Sequence, residues 1–90
     1  MKFEFPNTSR KVLPILKRQL EQFGATVHFD TRRRGRVESI AGDLTFEHVG
    51  GTLTIRVVKQ NGHFTDGLLT GGIRQMVEEA REIAKREAAA

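Results

Sequence analysis

The chain has no cysteine. Disulfides and thiolate-bound metals are therefore excluded, and the composition fits a reducing compartment. No apolar run approaches the roughly 20 residues that a helix needs to cross a bilayer, so no membrane span is expected. The opening Met1-Lys2-Phe3-Glu4-Phe5 lacks the apolar core of a signal peptide, which makes cytoplasmic residence the expectation. Nucleophile–base pairs are missing too. Ser9 and Ser39 have no identifiable base, and Glu78-Glu79 falls on a solvated helix face. Catalysis is not expected, and no cofactor is implied. His28, His48 and His63 do not share a helix face, and no cysteine joins them, so they do not read as a zinc set.

What remains is a small globular chain. Its 90 residues make a single domain, 1–90, because chains of this size rarely divide. A hydrophobic fraction of 38% with 29% charged residues separates it from disordered sequences. The net charge of +4 favours anionic partners without requiring one.

Periodicity supplies the architecture. Lys2-Phe3-Glu4-Phe5 alternates as a short strand stopped by Pro6. Asn7-Thr8-Ser9 offers capping groups, and Val12, Leu13, Leu16, Leu20 and Phe23 form a helical stripe ending at Gly24. Pro14 predicts an irregular first turn. Ala25, Val27 and Phe29 then alternate with Thr26, His28 and Asp30 as a strand with one buried face. Thr31 to Gly35 reads as a charged turn, Arg36 to Ile40 as a second strand, and Gly42-Asp43 as the next turn. On the third strand Leu44, Phe46 and His48 face inward. Gly50-Gly51 is a two-residue hairpin signal, after which Leu53, Ile55 and Val57 face inward on a fourth strand. Asn61-Gly62 turns the chain again, and His63 to Thr65 is a short return strand or a loop. Leu69, Ile73, Met76, Val77, Ala80, Ile83 and Ala84 recur at helical spacing, with Asp66 or Thr70 as the alternative caps. The expected fold class is α+β, a two-layer sandwich. Its antiparallel meander has four strands, joined by the N-terminal strand, with two helices on one face. The other face would carry Thr26, His28, Glu38, Thr45, Glu47, Thr54 and Arg56, as suits a solvated surface.

The densest charge is Arg32-Arg33-Arg34-Gly35-Arg36. One reading is a hairpin tip that contacts phosphates, so that Arg32, Arg33, Arg34 and Arg36 are the candidate binding residues for RNA, other nucleic acid or another polyanion. The alternative is a solvated turn whose charge blocks sheet-to-sheet aggregation. Gly67 to Gly72 leads into the last helix but lacks the Gly-Lys-Ser/Thr of a phosphate-binding loop.

The order helix, strands, helix resembles that of double-stranded RNA-binding domains, which place a lysine-rich signature at the start of the last helix. Here that stretch reads Gly71-Gly72-Ile73-Arg74-Gln75-Met76, followed by Glu78-Glu79, so the likeness is one of topology. The outer sheet face also lacks the stacking aromatics of an RNA-recognition motif. From Gly42-Asp43-Leu44-Thr45-Phe46-Glu47, through Gly51 and Leu53 to Val57, to Gly67-Leu68-Leu69 and Ile73-Arg74, the chain resembles the small bacterial proteins of the polyhydroxyalkanoic acid system. That resemblance implies an accessory, non-catalytic role near storage granules. The Gly50-Gly51 turn is tighter than that family's pattern, and Thr31 to Arg36 has no counterpart in it. The expectation is a non-enzymatic binding module with a protein partner or self-association, and the RNA or phosphate binder is the alternative.

Overall fold

A computed structural model describes residues 1–89. In chain order the elements are β1 (Lys2–Phe5), α1 (Val12–Gln22), β2 (Thr26–Thr31), β3 (Arg34–Ser39), β4 (Gly42–Val49), β5 (Thr52–Gln60) and α2 (Asp66–Ala89). The five strands form one antiparallel sheet in the order β1-β5-β4-β3-β2. The meander β2 to β5 is contiguous, and β1 returns to its far side.

The inner face is a single apolar layer. Phe3 lies opposite Ile55, which lies opposite Phe46, and Phe5 lies opposite Leu53. These side chains are buried with Val12, Leu13, Ile15 and Leu16 of α1 and Ile73, Val77, Ala80 and Ala84 of α2 in one cluster. The buried residues of α1 at 12, 13, 15 and 16 and of α2 at 69, 73, 77, 80 and 84 follow the three- and four-residue spacing of a helix face. Phe29 is the exception to the expected alternation. Its ring meets Phe46 edge-on at a centroid distance of 5.2 Å but stays 39% exposed at the margin of the core.

The helix ends follow their local chemistry. The first turn of α1 is irregular, as Pro14 predicts. The Val12 and Leu13 amides donate to the Ser9 and Arg10 carbonyls, three residues back. Pro14 then falls in the first turn, where an amide would lack an intrahelical acceptor anyway. At the other end, the Gly24 amide donates to Glu21 O and the Ala25 amide to Leu20 O, with Gly24 at φ +86°. That paired closure satisfies two terminal carbonyls and releases the chain directly into β2.

Three boundaries differ from the sequence expectation. The β2–β3 turn is Arg32-Arg33 alone, so Arg34 and Gly35 belong to β3. Gly35 reads as a turn residue but serves close packing. A Cβ there would meet the His28 carbonyl and come within 2.6 Å of Phe46 Cζ. The next turn is Ile40-Ala41, with Gly42-Asp43 already in β4. Ser39 sets it, since its hydroxyl donates to Gly42 O at 2.9 Å and accepts from the Ala41 amide. Finally, α2 begins at Asp66 and runs through Gly71-Gly72. The cap is Thr65, whose Oγ1 accepts from the Leu68 amide. Burial of Leu69 and Ile73 on either side outweighs the roughly 1 kcal/mol that each helical glycine costs. His63 to Thr65 is a loop.

Candidate interaction surface

Strand alternation and the short turn disperse the arginine cluster. Arg32 and Arg33 stand at the β2–β3 turn, while Arg34 and Arg36 project from β3 onto the face away from the helices. There the register builds transverse rows. One row reads Lys2, Arg56, Thr45, Arg36 and His28. The next reads Glu4, Thr54, Glu47 and Arg34, and the row on the other side carries Lys59, Asp43 and Glu38. Basic and acidic groups are thus interspersed over this face, which carries a small recess. It holds about 50 Å³ between Arg34, Thr45, Glu47, Thr54 and Arg56. The hairpin-tip reading of all four arginines is therefore corrected to a pair at the tip and a pair on the sheet.

The tip pair shares its surroundings with cations from before and within α1. Arg32 lines an open groove between α1 and the β2 edge together with Arg10, Lys17, Leu13, Pro14 and Phe29. Asp30 is the acid in this groove, and Lys17 reaches Glu21 only at 3.9 Å. Arg33 stands at a neighbouring cleft with Arg10, His48 and the Gly50-Gly51 turn. Lys11 instead borders a hollow between the helices with Arg81 and Lys85, and Arg18 pairs with Glu87 of α2 at 3.4 Å. Among the described residues Arg10, Arg32 and Arg33 make no ion pair.

His48 holds this end of the molecule together. Its ring is buried, and Nε2 lies 2.6 Å from Thr8 O, an acceptor, so Nε2 carries the proton and donates. The His48 amide donates to Arg33 O at 2.7 Å, and the Thr8 amide donates to Gly51 O at 2.8 Å. The loop before α1, the β2–β3 turn and the β4–β5 turn are thereby fixed against one another. No sequence signal marks this role, since both acceptors are backbone carbonyls of distant segments.

The β2 edge is open. Five of its six residues are exposed and Val27 is half-buried. Beside it, a narrow slot of about 20 Å³ runs between α1 and the sheet, lined by Leu16, Leu20, Val27, Phe46 and Met76. It has space for apolar side-chain contact but not for a small-molecule substrate. Phe23, 83% exposed, lies in the connection from α1 to β2. Among the described residues no group of three or more metal-ligating side chains converges, and no helix is long and apolar enough to cross a membrane. The chain matches no protein-family model, and neither a curated protein nor a solved structure is detectably similar to it.

Proposed function

We propose that the protein is a small non-enzymatic interaction module that receives an extended, acidic segment of a protein partner in the groove between α1 and the β2 edge. The observation that carries this reading is the conjunction of an unpaired strand edge with a cationic rim. The edge offers backbone donors and acceptors to an added strand. Phe29, Leu13 and Pro14 supply apolar contact, and Arg10, Lys17 and Arg32 face one carboxylate, Asp30. An acidic occupant would match that imbalance. An accessory role of this kind agrees with what the resemblance to polyhydroxyalkanoic acid system proteins implies.

Two labelled peptides of equal length, one alternating valine with glutamate and one alternating valine with lysine, test the proposal. Fluorescence anisotropy should show binding of the acidic peptide, weakening with salt. Hydrogen exchange should slow at β2 and not at β1. The Phe29→Glu variant should weaken binding about tenfold, as expected when an apolar contact becomes a like-charge repulsion. Equal binding of the two peptides, or no protection of β2, would sink the reading.

A second reading, RNA or polyanion binding, is favoured by one observation: Arg32 and Arg33 join Arg10 and Lys17 on one end of the molecule. A filter-binding titration with single-stranded RNA over a range of salt concentrations decides it. Affinity should fall steeply with salt and be lost when Arg32, Arg33, Arg34 and Arg36 are all alanine.

A further inference from the structure

A distinct feature of the same end is the cleft beside the β4–β5 turn. We propose that Arg10, Arg33 and the Gly50-Gly51 turn form a binding site for a single phosphate-class oxyanion, with His48 as the residue that positions them. This site depends on neither the β2 edge nor an extended partner.

The argument begins with how two remote arginines come to share one cleft. Arg10 precedes α1, and Arg33 closes the β2–β3 turn. Each is tethered through the same side chain and backbone. The His48 ring holds the Thr8 carbonyl, two residues before Arg10, and the His48 amide holds the carbonyl of Arg33 itself. The ring is only 8% exposed, so the tether is rigid and screened from solvent competition. The two guanidinium groups are left exposed at the rim of an open cleft of about 490 Å³.

The lining is one-sided. Arg10, Arg33, His48, Gly50 and Gly51 surround the cleft, and no carboxylate is among them. Neither arginine makes an ion pair among the described residues. Two arginines that line one cleft without a counter-ion leave its positive charge unbalanced, and an oxyanion bound there would balance it. Guanidinium presents a planar fork of donors that matches phosphate oxygens, and such charge-assisted hydrogen bonds are about twice as strong as neutral ones. The glycine turn completes the fit by omission. A Cβ on Gly50 or Gly51 would meet nothing within 4 Å, so this wall of the cleft is bare backbone with open space before it. Both glycines have positive φ, +58° and +77°, which keeps larger residues from that wall.

The full chain, titrated with inorganic phosphate and followed by amide and guanidinium NMR shifts, tests the site. Chloride at matched ionic strength is the control. The expected result is a saturable shift confined to Arg10, Arg33, His48, Gly50 and Gly51. R10A and R33A should each weaken phosphate about tenfold, the value of one lost charge-assisted hydrogen bond. Both side chains are exposed, and the Arg33 tether uses its carbonyl, so neither substitution removes a folding contact. Hydrogen exchange along β2 should be unchanged by phosphate, which separates this site from the β2 groove. Glycerol 3-phosphate distinguishes the source: equal or tighter binding at the same residues assigns an esterified phosphate, and binding of inorganic phosphate alone assigns the free ion. The proposal is overturned by an absent or diffuse shift, by equal saturation with chloride, or by undiminished binding in the R10A/R33A double variant.

Discussion

The two edges of the sheet solve the same problem in opposite ways. β1 is four residues long, and both its phenylalanines are buried. Its flanks are tied down further: Met1 O accepts from the Val57 amide, and the Arg81 guanidinium of α2 approaches Asn7 O. β2 is longer, yet five of its six residues are exposed and its one aromatic sits at the margin of the core. An edge that is short and anchored by core side chains offers little backbone to a neighbour and cannot be displaced without losing core contacts. An edge that contributes little to the core can gain a neighbour at small cost. Stability is thus concentrated at β1 and β5, and availability at β2.

The comparison breaks most visibly through the core. Phe5→Ala should cost about 3–5 kcal/mol in urea unfolding, because it empties a buried site shared by β1, β5 and the helices. The equivalent truncation at the other edge, Phe29→Ala, should cost clearly less, since its ring is already partly hydrated. Equal losses at the two edges would refute the asymmetry. Gly35→Val comes next. The added side chain would collide with the His28 carbonyl and the Phe46 ring, so a loss of about 1–3 kcal/mol is expected. Hydrogen exchange should then quicken in β2 before β4. His48→Ala should lower stability by about 1–3 kcal/mol, because it orphans the Thr8 carbonyl in a buried setting. The Thr8 amide, which donates to Gly51 O, should exchange faster in that variant while β1 stays protected. Smallest of all, Arg18→Ala breaks the exposed pair with Glu87 and should change stability by less than about 1 kcal/mol, vanishing in high salt.

Most of the architecture was legible in the residues. The β1 alternation, the Gly50-Gly51 hairpin and the inward series Leu53, Ile55 and Val57 all stand where periodicity predicts them. The errors share one cause, which is that glycine has more than one use. Gly35 is small because Phe46 lies over it, Gly42 sits inside β4 while Ser39 builds the turn, and Gly71-Gly72 is carried by a helix whose neighbours are buried. None of these reasons is visible in a local window, because each involves a residue from another element or a competing side-chain hydrogen bond. The candidate site was less legible. The arginine run was conspicuous, but β3 starts at Arg34, two residues earlier than expected, which takes Arg34 out of the turn and onto the sheet face beside Arg36. Arg10, Lys17 and His48 joined the site only through tertiary contact.

The tethering of three connections through His48 and Thr8 also dictates where the molecule tolerates added sequence. Lengthening the Gly50-Gly51 hairpin or the Asn7 to Arg10 segment would pull on the linked bonds of Thr8 and His48, so a graft there should propagate into both neighbouring connections. The Asn61 to Thr65 connection lies at the other end of the sheet, where Asn61 is tied to Ile40 O and Ala41 O while Gly62 to Thr65 make only short-range bonds. A reporter or affinity tag spliced in at Gly62-His63 should therefore leave the fold intact, making that connection the natural handle for immobilising the protein with its cationic end facing outward.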